Sequence, residues 1–544
     1  MMKKQGMIRK TVLLSSLLLL STSCQQNAAA DPSGSAVSFP QMHDFNSSLK
    51  ETAVDDAYRN TYEVFLRSYY DSDHDGIGDL KGLQTKLDEI RDMGFTEIWL
   101  MPICPSDTYH KYDVKDYMAI DPQYGTMEDY DSLVKACHER GIRVITDLVL
   151  NHTAFGHEWF QNAWAYLKEL PEDWQPSTDY CPYFDYYHFS REFQSGYEKL
   201  PDTNWYYEAR FWDQMPDLNL DSEQVRNEIV SIMKFWLEHG TDGFRLDAVT
   251  SYYTGDPEKN TAFLKWLSEE GKKLNPDCYF VGEAWTNKDE IAVLYQSGID
   301  SLFAFPFADA EGVIKKTAAG IIGADDYVTS MISCEQAWQQ ANPAYVNAPF
   351  YTNHDMGRSA GYYAGDDGSR TKLAGALNIL MNGNVFVYYG EEIGMKGAGR
   401  DENKRAPMYW SKDAAEGMCD PPEGMDDIEM KFDPYDVQKD DPYSILNYYR
   451  EALKIRNAFP VIARGETVAV DAVMEEEIAA FIRHHEQYDD VMIIINTSEN
   501  EETVSLNELP FHELKAVLNT GADEVRIDNE ELILPPFGIA VMTK

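Results

Sequence analysis

The chain has 544 residues, of which 44% are apolar, with 11 Trp, 34 Tyr and 24 Phe. That is material for large cores and, on length, roughly two to four domains. The formal net charge of −45 argues against nucleic acid and anionic membrane surfaces as partners, since both are held by basic patches.

At the N-terminus, Lys3, Lys4, Arg9 and Lys10 precede an apolar run from Thr11 to Leu20 that is too short to span a bilayer. The following Leu20-Ser21-Thr22-Ser23-Cys24 resembles the end of a bacterial lipoprotein signal, with Leu one place further from the Cys than usual. This predicts a cleaved segment 1–23, a lipidated Cys24 and a polar tether over 24–57. An ordinary secretory signal with an incidental Cys is the other reading. The chain is then expected to be exported, and held to a bacterial membrane, on the periplasmic or the outer side, through that lipid only. Cys104, Cys137, Cys181, Cys278, Cys334 and Cys419 are scattered without CxxC spacing, which argues against zinc. In an exported protein some of them could pair; buried free thiols are the alternative.

Tyr62 to Leu66 reads as a first strand. It runs into Asp71-Ser72-Asp73-His74-Asp75-Gly76-Ile77-Gly78-Asp79. Alternating aspartates with two glycines make a tight oxygen-lined loop suited to Ca²⁺, with Asp71, Asp73, Asp75, the Ile77 carbonyl and Asp79 as ligands. A solvated acidic turn is the alternative. A helix over about 80–93 follows, then buried strands at Glu97 to Pro102 and Arg143 to His152. The stretch 153–214 is rich in aromatics, Pro and Asp, and is too long for a plain loop, so it is expected to be an inserted subdomain. Its aromatics suit either a small core or the faces of sugar rings. Asp221 and Gln224 are placed to cap a helix in which Val225, Ile229, Ile232, Met233 and Trp236 recur at helical spacing, and Gly240 can end it. Further strands are expected at Gly243 to Ala248, Cys278 to Glu283, Ser301 to Phe305, Pro349 to Asp355 and Val385 to Gly390. Eight strands alternating with helices predict an α/β fold, a (β/α)₈ TIM barrel formed by 58–152 and 215–457. Short strands at Glu477 to Ile482, Val491 to Asn496, Leu514 to Leu518 and Ile539 to Thr543 predict a C-terminal antiparallel β domain over 458–544.

Chemistry collects at the carboxyl ends of the barrel strands: Asp147, Asn151 and His152 after the third, Arg245 and Asp247 after the fourth, Glu283 after the fifth, and His354 and Asp355 after the seventh. That end of such a barrel is where active sites are built. In Gly243-Phe244-Arg245-Leu246-Asp247-Ala248, strand alternation puts Arg245 on the same side as Asp247, where it would keep the carboxylate ionised. Alone, the hexapeptide fits a nucleophile or a structural ion pair equally. Glu283 sits on an apolar strand before Ala284-Trp285, where desolvation raises a carboxyl pKa. One ionised and one protonated carboxyl are what glycoside hydrolysis requires.

With these residues in order, the chain resembles the α-amylase family of glycoside hydrolases (family 13). The motifs are DLVLNH at 147–152, MPDLN at 215–219, GFRLDAV at 243–249, GEAW at 282–285 and TNHD at 352–355, with DGIGDLKGL, YHKYDVKDY, IDPQYGT, YYGEEIGM and KRAPMYW as further family-like stretches. The resemblance runs from about residue 58 to the end. It implies Asp247 as nucleophile, Glu283 as acid and then base, and Asp355 as the carboxylate that holds a distorted sugar. It further implies Arg245 orienting Asp247, His152 and His354 bonding the same sugar, Tyr112 stacking on it, and retention of anomeric configuration. Structural Ca²⁺ in the 71–79 loop, an α-glucan or malto-oligosaccharide substrate and a monomeric state are expected.

The chain also departs from the family pattern. Thr250 and Ser251 stand where typical α-amylases carry Lys-His, which removes a sugar contact and one ligand of the family's interdomain Ca²⁺. MPDLN lies between the QPDLN of oligo-1,6-glucosidases and the MPKLN of neopullulanases, as in the intermediate subfamily that includes lipoprotein α-amylases. Ala248 leans toward α-1,4 linkages. An α-glucosidase, a neopullulanase-like enzyme or a glucanotransferase would share the catalytic residues, and a non-catalytic α-glucan-binding lipoprotein is the remote alternative.

Overall fold

A computed structural model describes residues 42–544. The expected signal segment 1–23, Cys24 and the tether as far as residue 41 lie outside the described residues. Seven strands form one parallel sheet: Asn60–Val64, Glu97–Leu100, Arg143–Leu148, Gly243–Leu246, Tyr279–Gly282, Ser301–Leu302 and Val385–Tyr388. The first five pair in chain order, Ser301–Leu302 pairs with Tyr279–Gly282, and Val385–Tyr388 returns beside Asn60–Val64. Nearly every residue in them is buried, as expected when both faces of a parallel sheet are covered. The expected seventh strand does not form a regular ladder. Ala348 bridges Phe303, Phe350 bridges Phe386, and the Pro349 carbonyl accepts from Phe386 N at 2.9 Å. Pro349 has no N–H to give to a ladder, so this segment closes the ring through isolated bridges. The result is a (β/α)₈ barrel.

The helices follow the apolar periodicity. In Glu223–Glu238 the residues Val225, Ile229, Ile232, Met233 and Trp236 are buried on one stripe. Its N-cap is Ser222, whose hydroxyl accepts from Val225 N, rather than Asp221. The helix expected over 80–93 is two, Leu80–Thr85 and Leu87–Asp92, parted at Lys86.

Residues 153–214 hold the helix Glu158–Glu169 and a three-stranded sheet of Phe189–Ser190, Tyr206–Glu208 and Tyr197–Lys199. Phe160 centres their small core, with its ring 5.0 Å from those of Tyr187 and Tyr207. At the other end of the chain, Glu466–Ala469, Ile478–His485, Tyr488–Asn496, Ile539–Thr543 and Glu513–Leu518 make a five-stranded sheet, with a second sheet of three strands beside it in sequence.

The stretch 42–57, expected as tether, is not free chain. Met42–Asn46 is a short helix. The Asn46 side chain is fully buried, donating to Val517 O at 2.8 Å and accepting from Val517 N at 3.1 Å. Thr52 N donates to Asn457 O, and Asp56 takes a two-pronged bond from Arg464 at 2.6 and 2.8 Å. Polar side chains closing backbone bonds leave no apolar period, so composition alone made this segment look unanchored.

Candidate active site

Strand register builds the centre. Asp147 lies opposite Arg245 on the neighbouring strand, and Leu246 lies opposite Gly282, so Asp247 and Glu283 leave adjacent strand ends side by side. The fully buried Arg245 guanidinium gathers all three acids. Its Nη1 is 2.7 Å from Asp247 Oδ1 and 2.9 Å from Asp147 Oδ1, and its Nη2 is 3.1 Å from Glu283 Oε2. The last contact is an ion pair without hydrogen-bond alignment, which leaves Nη2 with no hydrogen-bond partner. One cation cannot compensate three buried carboxylates, so protons stay on the less favoured ones. Burial, with Asp247 nearby, pushes Glu283 up to about 7 against the pull of Arg245, and burial likewise raises Asp147. Beyond Asp247 the chain turns sharply: Ala248 has φ +47°, a left-handed conformation that crowds branched side chains. The turn aims Ala248 N at Glu283 Oε2, 3.0 Å away.

A fourth acid, Asp355, sits in a different environment. Asp355 Oδ2 is 3.1 Å from His354 Nε2, and its Oδ1 accepts from Arg405 Nη2 at 2.9 Å. Although burial alone would raise it, His354 and Arg405 hold this carboxyl well below its usual range. His354 is fully buried, and burial would lower its pKa; Asp355 and Glu63, the latter 2.6 Å from Nδ1, instead bring it up to about 9. Tyr112, expected as a stacking face for sugar, is itself largely buried. Its hydroxyl bonds Asp147 Oδ2 at 3.0 Å and His354 Nε2 at 2.7 Å, and its ring is stacked 5.4 Å from His354. His152 is close by, but its Nε2 is engaged by Tyr112 O at 3.2 Å, and burial keeps it neutral by lowering its pKa. All seven residues expected at the sugar site therefore converge.

Several partners escaped the sequence. Glu63 is a buried acid in the first strand, and its charge inside an otherwise apolar run was the available signal. Arg405 lies in KRAPMYW, a stretch with no role attached. Asp401, in ion-pair contact with Arg405, and Tyr109, whose hydroxyl donates to Asp401 Oδ2 at 2.8 Å, come from distant loops.

The acidic loop is separate from this centre. Oxygens of Asp71, Asp73 and Asp79 all lie within 4.8 Å of one another, the one such cluster among the described residues. Asp75 stands outside the trio, and its Oδ1 accepts from Ile77 N at 2.8 Å. Gly76 has φ +90°, and a Cβ there would meet Asp420 Oδ2 at 2.4 Å, so the turn requires glycine. Near Thr250 and Ser251, a polar cavity of about 250 Å³ is lined by Asn151, Asp217, Glu208, Arg210 and Ser251. There Arg210 Nε donates to Glu208 Oε1 at 2.7 Å and Asn151 Nδ2 to Asp217 Oδ1 at 3.1 Å.

Carboxyls with opposed protonation preferences on one barrel rim are the means by which proteins open glycosidic bonds, and this fold and site put the chain in that class of hydrolase. Residues 63–465 match the family described as alpha amylase, catalytic domain, and the chain belongs to the α-amylase family of glycoside hydrolases. It is 35% identical over 508 residues to alpha-amylase 3 of Dictyoglomus thermophilum, spanning 89% of this chain and 93% of that one. It is 28% identical over 531 residues to the oligo-1,6-glucosidase of Heyndrickxia coagulans, covering 82% and 92%. Among solved structures, Amy13B of Eubacterium rectale superposes with a TM-score of 0.91 at 45% identity, covering 93% of this chain and 99% of that one. An alpha-amylase from H. orenii gives 0.77 at 32%, covering 90% and 100%.

Proposed function

We propose that this enzyme hydrolyses α-1,4-glucosidic bonds in starch, maltodextrins or related α-glucans, with retention, by two displacements. Asp247 attacks the anomeric carbon while Glu283 gives its proton to the departing glycosidic oxygen. This leaves a glycosyl ester on Asp247 and a Glu283 carboxylate. That carboxylate then takes a proton from water, whose oxygen displaces Asp247 and regenerates both groups. Asp355, kept ionised by His354 and Arg405, holds the hydroxyls of the distorted sugar. Arg245 orients Asp247, and Tyr112 fixes the His354 ring.

The observation that carries this reading is the shared Arg245. It touches the carboxylate that must be ionised and the carboxyl that burial keeps protonated near neutrality. The relatives named alpha-amylase support the α-1,4 assignment. Asp71, Asp73 and Asp79 fit a Ca²⁺ ion, whose oxygen ligands stand ~2.3–2.6 Å from the metal; bound there, it would brace the loop structurally.

The test is turnover of amylose and of an activated maltoside. Asp247→Asn and Glu283→Gln are each expected to lose about a thousandfold or more in kcat on amylose, with circular dichroism unchanged. Wild-type-like turnover by either variant would sink the assignment.

A further inference from the structure

The amino-terminal end of the barrel, opposite the catalytic rim, holds a cavity of about 620 Å³. Asn60 and Arg143 open their strands there, and Asp242 directly precedes the strand that begins at Gly243. Segment 51–55 and the helices Ile445–Ala458 and Val461–Arg464 complete the wall. That end of such barrels ordinarily serves stability. Here four arginines line it, Arg59, Arg143, Arg456 and Arg464, in a chain whose formal net charge is −45.

Their partners are unequal. Arg464 is matched by its two-pronged bond with Asp56. Arg456 is fully buried and forms no ion pair among the described residues. Its Nε donates to Asn60 Oδ1 at 2.7 Å and its Nη1 to Ile379 O at 2.8 Å. Burial, and then the neighbouring Arg483 and Arg464, pull its pKa down to about 9. Arg59, also buried, donates from Nη1 to Tyr58 O at 2.7 Å, and no hydrogen bond among the described residues reaches its Nε or Nη2. Asp55 Oδ1 stands 3.6 Å from Arg59 Nη2 and 3.3 Å from Arg143 Nη2, while the Asp55 side chain is 95% exposed. One carboxylate oxygen, on a side chain otherwise in water, thus serves two guanidiniums. The other acids nearby are engaged elsewhere. Asp242 Oδ2 is 2.8 Å from His138 Nε2, and Glu51 Oε2 accepts from Asn457 Nδ2 at 3.1 Å. Glu97, which acts on Arg59 from inside the barrel, is pushed up to about 7 by burial.

We infer that Arg59 and Arg143 form a binding site for the phosphoryl group of a small soluble molecule, with the field of Arg456 behind them and Asp55 as an internal competitor. An oxyanion bound by arginines takes the position that Asp55 Oδ1 holds here, between two forks of N–H donors. The phosphoryl group displaces the Asp55 carboxylate, and the cavity, much larger than a bare ion, holds the rest of the molecule. The site is separate from the catalytic rim and does not rest on the glycosidase reading.

Isothermal titration calorimetry of the full chain at fixed ionic strength tests it, with inorganic phosphate, glycerol 3-phosphate and glycerol as probes. One saturable site is expected for both phosphates and none for glycerol. Asp55→Asn keeps the shape of the side chain and removes the competing charge, so it is expected to tighten glycerol 3-phosphate by about threefold or more. Arg143→Gln is expected to weaken it by about tenfold or more. Turnover of maltoheptaose is expected to stay at the wild-type level in both variants. A purely structural cluster of ion pairs predicts no saturable phosphate binding by wild type or by Asp55→Asn, and that result overturns the site. Wild-type affinity in Arg143→Gln, or an affinity in Asp55→Asn no tighter than wild type, overturns it as well.

Discussion

Glu283 and Asp355 are both acids at strand ends of one barrel, yet their surroundings drive them apart. Glu283 has a share of one guanidinium and other carboxyls beside it, so burial prevails and its pKa rises to about 7. Asp355 is flanked by two cationic groups, His354 and Arg405, and they outweigh burial. A sign follows for the pH profile. In the proposed mechanism Glu283 acts first as the proton donor and must be protonated in the free enzyme, so kcat/KM on maltoheptaose should fall as pH rises through about 7. With α-glucosyl fluoride, whose leaving group needs little protonation, that alkaline limb should be much reduced. An equally steep fall for both substrates would show that another group controls it. Glu63 matters here through His354: without that carboxylate 2.6 Å from Nδ1, less would hold the His354 charge that faces Asp355.

At the scale of elements, the 71–79 loop joins the first strand to the helix that Asp79 caps. Asp79 Oδ1 accepts from Gly82 N at 2.8 Å, and Oδ2 accepts from Ser72 N at 2.7 Å. Three carboxylates this close repel one another unless a cation sits among them. Chelation is therefore expected to lower the thermal midpoint by several degrees, and added Ca²⁺ to restore it. In Asp73→Ala, where the exposed member is gone, chelation should have little further effect. A wild-type midpoint indifferent to chelator would argue against bound metal. The Pro349 segment makes a related point: a barrel can close through two bridges when the residues on either side are fixed by their own strands.

At the scale of the molecule, Met42–Asn46 ties the beginning of the described chain to the C-terminal sheet. Asn46 satisfies both polar groups of Val517 from a buried position, so Asn46→Ala strands a buried donor and acceptor at a cost of about 1–3 kcal/mol. The expected result is faster limited proteolysis within 47–57, with activity on maltoheptaose retained, since the contact lies on the C-terminal domain. Unchanged cleavage there would mean the latch contributes little.

The sequence by itself determined the barrel and the polar residues at its strand ends, and it was the resemblance of its motifs to a family that singled out Asp247, Glu283 and Asp355 among them. Buried parallel strands are apolar runs, and a charged residue at the end of such a run stands out without knowledge of its neighbours. The clustering of Asp71, Asp73 and Asp79 was legible for a different reason, because those carboxylates are local in the chain. Only the tertiary structure decided what surrounds those residues. Glu63 behind His354, Arg405 against Asp355, Asn46 against Val517 and Asp55 against Arg143 join positions tens to hundreds of residues apart. Such pairs depend on strand register and on how the ring closes, and no local pattern encodes either. The same holds for which aromatics of the insert face water: a ring's exposure is set by what packs over it, which composition does not reveal.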